Sequence, residues 1–124
     1  MNLLILLGAL LVQSNMEPTS PPRSILLFGK QGSPLIKQQW QLLQNDSTGL
    51  AERNIEVKII EPGHALYTTY DIGVQDPFTI ILVGRDGGEK YRSSQVTTST
   101  HFFALIDAMP MRRSEMRKNK KAQL

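Results

Sequence analysis

From Phe78 to Arg117 the chain reads FTIILVGRDGGEKYRSSQVTTSTHFFALIDAMPMRRSEMR, the stretch that most constrains its fold. Thr79 to Val83 is a continuous apolar run rich in β-branched residues, too short for a helix and stopped by Gly84. It predicts a buried strand in the middle of a sheet. Arg85-Asp86-Gly87-Gly88 supplies residues that tolerate positive φ where a short hairpin loop needs it, so the more polar Glu89 to Arg92 reads as a return strand at a sheet edge. Asp86 reads as a turn former that bonds its own backbone rather than a ligand group. Phe102, Leu105, Ile106 and Met109 then fall at i, i+3, i+4 and i+7, with Phe103 beside them, which predicts a helix packing that face on the sheet. Thr98 or Ser99 serves as its N-cap, and Pro110 disfavours the α region at Met109, so the helix ends or kinks near Ala108.

The first half follows a compatible plan. Ser24 to Phe28 is a short apolar strand closed by Gly29, and Ser33-Pro34 gives an N-cap followed by proline at the first helical position. Ile36, Trp40 and Leu43 share one face of the helix that follows, to about Asn45 or Asp46, which predicts a buried Trp40. Ile55 to Ile60 reads as a second strand closed by Pro62-Gly63, and a short helix or turn over Ala65 to Asp71 bridges to the Thr79 strand. The order strand, helix, strand, short helix, strand, strand, helix joins parallel strands early to an antiparallel hairpin late. That is a thioredoxin-like α/β sandwich, a mixed four-stranded sheet covered by helices.

A chain of 124 residues holds one such domain and no second core. Leu3 to Val12 is an uninterrupted apolar run, followed by the polar, proline-rich Met16 to Pro22. Ten residues do not span a bilayer as a helix, but they suit the h-region of a signal peptide with Val12-Gln13-Ser14 at the cleavage positions. The alternatives are an apolar first strand and an uncleaved anchor. The expected organisation is a signal peptide over 1–14, a linker over 15–23, the domain over 24–110 and a basic tail over 111–124, with export to a periplasm or outside the cell. A domain that folds without any cysteine relies on its core alone, which suits a bacterial periplasm better than a disulfide-rich secreted setting.

The net charge of +3 is concentrated at one end. Arg112, Arg113, Arg117, Lys118, Lys120 and Lys121 lie in the last stretch against the single acid Glu115, so the preceding domain is slightly acidic. Two readings stand for this tail: a solvated extension, or electrostatic attachment to a polyanion such as lipid headgroups, an acidic glycan or an acidic protein face. Nucleic acid is not expected, because the tail has no aromatic side chain on which bases could stack.

The catalytic inventory is short. With no cysteine there is no thiolate for peroxide or disulfide chemistry. His64 and His101 stand far apart in sequence without metal-ligand spacing, and they read as surface histidines; no metal or cofactor is expected. The loop Gly29-Lys30-Gln31-Gly32-Ser33 precedes a helix N-terminus and is a candidate small-anion site through its amides and Lys30, although it lacks the pattern of a phosphate loop.

The segments SILLFGK, LAERNIEVKII, LVGRDGGEKYRS and ALIDAMPMRRSEMR together resemble the family called domain of unknown function 4174, over about Ser24 to Arg117. The resemblance implies a thioredoxin-like or peroxiredoxin-like fold found in exported bacterial proteins, and related domains in vertebrate extracellular proteins. It implies no enzyme activity. Against thioredoxins, Ser33 and Ile36 stand where the two reactive cysteines would lie, and Pro77 is one residue further from its strand than the family's cis-proline. The expected function is a non-catalytic binding or structural module, the alternative an enzyme or small-anion site at Gly29 to Ser33; the expected partner is a protein or an anionic envelope or matrix component.

Overall fold

The computed structural model describes residues 21–123. The expected signal segment over 1–14, and residues 15–20 of the expected linker, lie outside the described residues. In chain order the elements are β1 (Arg23–Phe28), α1 (Pro34–Asn45), α2 (Ser47–Glu52), β2 (Ile55–Ile60), α3 (Leu66–Thr69), β3 (Thr79–Val83), β4 (Glu89–Ser93), α4 (Ser99–Asp107) and α5 (Pro110–Ala122). The sheet runs β2-β1-β3-β4, with β1 and β2 parallel and the other neighbours antiparallel. This is the expected mixed four-stranded sheet. β3 lies inside it and β4 at an edge.

Strand alternation divides the core in two. Ile25, Leu27, Ile80 and Leu82 face Ile36 and Leu43 of α1, Leu50 of α2, and Phe102 and Ile106 of α4. On the opposite face Leu26, Phe28, Ile60, Ile81 and Val83 meet Tyr67 and Ile72. Tyr67 sets its ring edge-on to Phe28, with centroids 5.2 Å apart, and its hydroxyl donates to the Ile60 carbonyl at 3.3 Å. A phenol thus enters the core only with its polar end satisfied.

The hairpin forms for the expected reason. Gly87 has φ +83°, and the Gly88 amide donates to Asp86 Oδ1 at 2.9 Å. Thr98 caps α4, its Oγ1 accepting from the His101 amide at 3.3 Å, and the helix closes at Ala108.

Three expectations need correction. Trp40 is 36% exposed, and the buried positions of α1 are Ile36, Gln39 and Leu43. Gln39 is drawn inside because its carboxamide pairs with one backbone position as a strand would. Nε2 donates to the Thr97 carbonyl at 2.8 Å, and the Thr97 amide donates to Oε1 at 2.7 Å. Second, β1 begins at Arg23, a residue expected in the linker, and that side chain is buried. Third, the folded body does not stop at residue 110. Pro110 ends one helix and, at the first position of another, opens α5, because its fixed φ suits a helix start and its missing N–H is not needed there.

Candidate functional site

The loop Gly29 to Ser33 leaves the C-terminal end of β1 and turns directly into α1. Gly29 is required there by space: a Cβ would lie 2.9 Å from Ile36 Cδ1 and 3.1 Å from the Pro77 carbonyl oxygen. The Pro77 segment therefore flanks the start of α1, although none of the described peptide bonds is cis. Gly32 adopts φ +91°, and the Ser33 amide closes the turn on the Lys30 carbonyl at 3.0 Å. The Gln31 amide donates to Glu61 Oε1 at 3.1 Å. A carboxylate from the loop after β2 thus occupies one of the amides that a bound anion would use, and its charge opposes a second negative group. Lys30 is exposed.

Ser33 is the N-cap of α1 by position only, since its side chain makes no capping bond and its Oγ is enclosed without a hydrogen-bond partner among the described residues. Ile36, one turn on, is buried. The two positions expected to stand where a thioredoxin carries its thiols thus hold an enclosed hydroxyl and a buried aliphatic side chain. Beside them runs an open groove of about 370 Å³ lined by Gln31, Gly32, Ile36, Lys37, Trp40 and Ile59. Sequence periodicity placed Trp40 in the core and so missed this groove; the presence of a second candidate for the inward position, Gln39, was the available signal.

Both histidines are exposed, and neither faces the loop's hydroxyl. His64 Nδ1 accepts from the Leu66 amide at 3.1 Å, and His101 lies against Tyr91 with ring centroids 4.9 Å apart. Among the described residues no group of three or more His, Asp or Glu is placed to hold a metal ion.

The six basic residues expected to act together divide sharply. Arg112 is buried, its Nε donating to Asp107 Oδ1 at 3.1 Å and its Nη2 to Glu52 Oε1 at 3.2 Å. It is an internal tie and cannot meet an external polyanion. Arg113, Arg117, Lys118, Lys120 and Lys121 are exposed on α5. Around Arg112 a network joins four elements and two loops. Arg53, after α2, forms a two-point pair with Asp107 at 3.0 and 2.9 Å while its guanidinium lies 4.1 Å over the Phe103 ring. Glu115 receives Arg23 Nη2 at 2.9 Å and Arg85 Nε at 3.0 Å. Burial pushes the Asp107 carboxyl up, but hydrogen bonds from Arg53 and Arg112 outweigh it and hold the group below its ordinary range. Glu115 shows the same balance, burial opposed and exceeded by Arg23 and Arg85. Sequence reading missed this network because all its members except Asp107, which lies on the predicted closing helix, fall in segments taken as linker, loop and tail.

Residues 61–115 match the model of a domain of unknown function (DUF4174), so SILLFGK and the whole of LAERNIEVKII fall outside the match. No curated protein matches the chain. Among solved structures, thioredoxin-2, a component of the malaria parasite protein secretion machinery, is 15% identical with a TM-score of 0.58, covering 77% of this chain and 90% of that one. A malarial protein is 17% identical with a TM-score of 0.55, covering 69% and 94%. A thioredoxin-fold protein from Helicobacter pylori is 16% identical with a TM-score of 0.53, covering 72% and 70%. At these identities the likeness is one of fold. The chain is thus a thioredoxin-like α/β domain that carries its match to DUF4174 from Glu61 to Glu115.

Proposed function

We propose that this chain is a non-catalytic binding or structural module, exported by a bacterium to the periplasm or beyond. The observation that carries the reading is the pairing of Ser33 with Ile36 at the start of α1. A hydroxyl there has no thiolate form near neutral pH, and neither histidine is in hydrogen-bond contact with it. The Gln31 amide bound to Glu61 weighs against the alternative of a small-anion site in the same loop. Export draws its support from the apolar run Leu3 to Val12 and the Val12-Gln13-Ser14 sequence after it.

Insulin-reduction and peroxide-consumption assays on the purified chain test the redox part, with background rates expected. Turnover that survives metal removal overturns it. The mass and cell fraction of the protein from its native host test export: cleavage near Ser14 is expected, and an intact Met1 on a cytoplasmic protein refutes it.

A further inference from the structure

We propose that β2 is a dimer edge, which pairs antiparallel with β2 of a second copy of this chain about a twofold axis at Val57.

β2 closes one side of the sheet, and among the described residues β1 is its one hydrogen-bonded neighbour strand. Two bonds fix the direction of its backbone. The Arg23 amide donates to the Asn54 carbonyl at 2.9 Å and the Gly29 amide to the Ile60 carbonyl at 3.1 Å, so the even-numbered residues turn their amides and carbonyls toward β1. Those of Ile55, Val57 and Ile59 therefore point away from the sheet, and among the described residues no hydrogen bond engages them. A row of this kind is a template for another strand.

The side chains select which strand. Ile55 to Ile59 reads Ile-Glu-Val-Lys-Ile, symmetric about Val57 except that an acid and a base hold the mirrored places. Setting Val57 against Val57 of a second copy brings Ile55 to Ile59 and Glu56 to Lys58, and the twofold axis repeats each contact. Every backbone group that meets in this register points outward from its own sheet, so the central valines and both Ile55 and Ile59 pairs can exchange hydrogen bonds. A shift of one residue destroys that match. A shift of two keeps it but sets Lys58 against Lys58 or Glu56 against Glu56, which like-charge repulsion opposes. Within one chain Glu56 and Lys58 already lie 3.5 Å apart, both exposed, and a second copy closes them into a ring of alternating charge. On the other face of the strand the half-buried Ile55, Val57 and Ile59 are covered against their own kind, beside the exposed Trp40 of the neighbouring groove. The β4 edge has no such symmetry: its ladder is irregular at Leu82 and Val83, and pairing it about Tyr91 would set Lys90 against Arg92.

The test is sedimentation equilibrium of the full chain, with native mass spectrometry of mixtures. A dimer of micromolar affinity is expected, as suits a small interface. Glu56→Lys or Lys58→Glu alone makes both cross-strand charge pairs repulsive and should weaken the dimer at least about tenfold. Together in one chain they restore opposite charges and should restore the dimer. An equal mixture of the two single variants, one of them isotope-labelled, should form mixed dimers in preference to like pairs, because each cation then meets a carboxylate. Hydrogen exchange reads the register: the Ile55, Val57 and Ile59 amides should be protected in the dimer and lose protection on dilution, while those of Glu56 and Lys58 stay protected by β1. Circular dichroism checks folding, and should a single variant unfold, the exchange pattern of the parent chain decides. A chain that stays monomeric, with its edge left to an extended peptide of another protein, overturns the proposal. So does a dimer indifferent to charge reversal, a mixture without preference, or outward amides whose exchange ignores concentration. None of these readouts depends on redox activity or export.

Discussion

Arg23 and Glu115 stand 92 residues apart and meet through two hydrogen bonds, Nη2 to Oε2 at 2.9 Å and Nη1 to Oε1 at 3.3 Å. The first residue of the sheet is thereby tied to the last helix. Arg23 also donates Nη1 to the Arg53 carbonyl at 2.7 Å, so its buried charge is met on two sides.

Glu115→Ala should cost about 2 to 3 kcal/mol of stability, because it leaves the buried Arg23 guanidinium without its carboxylate. A double-mutant cycle with Arg23→Met, read by urea unfolding, should recover part of that loss. Truncation after Met109 should be worse than Glu115→Ala, whereas truncation after Arg117 should shift the thermal midpoint by about a degree or two, since the described residues lost are all exposed. Equal damage from the two truncations would place the anchoring beyond the Arg112 and Glu115 turn.

Stability should fall on acidification through the same network. Asp107 and Glu115 have folded-state pKa values below their ordinary 3.8 and 4.5. Each therefore contributes stability that is fully present above those ordinary values and is lost as pH falls through the depressed ones. Denaturation midpoints measured from pH 7 downward should be flat until about pH 5 and then drop. In Asp107→Asn the acid limb should be shallower.

Phe102→Ala should cost about 3 to 5 kcal/mol, because Phe102 is completely enclosed in the larger core cluster. Leu105→Ala, on the half-buried flank of α4, should cost less. Equal losses in chemical denaturation would mean that the α4 face is more deeply seated than its exposure indicates.

Gln39→Leu should destabilise although it places an apolar residue in an apolar core. It removes both partners of the Thr97 backbone, and each unsatisfied buried group costs about 1 to 3 kcal/mol. Hydrogen exchange at the Thr97 amide should accelerate more than at neighbouring amides, and uniform acceleration would argue for general unfolding instead.

At Gly87 the open space around the Cβ position isolates the backbone effect. Gly87→Val should cost about 1 to 2 kcal/mol through the positive φ alone. Thermal unfolding reads this directly, and an unchanged midpoint would show that the turn relaxes to another type.

Local pattern determined what depends on neighbours along the chain. The Thr79 run, the Asp-Gly-Gly turn, the Ser33-Pro34 helix start and the α4 face each follow from spacing, propensity or φ preference within a few residues, and together they specify the thioredoxin-like order. Tertiary structure alone decided which way α1 turned its glutamine and its tryptophan, since both lie near the same helical face and only the distant Thr97 backbone makes Gln39 the better core residue. It also decided the meaning of the C-terminal charges. Arg112 and Arg113 are adjacent and chemically identical in sequence, but the 100° step between them on α5 sends one into a set of carboxylates from Glu52, Asp107 and Glu115 and the other into solvent.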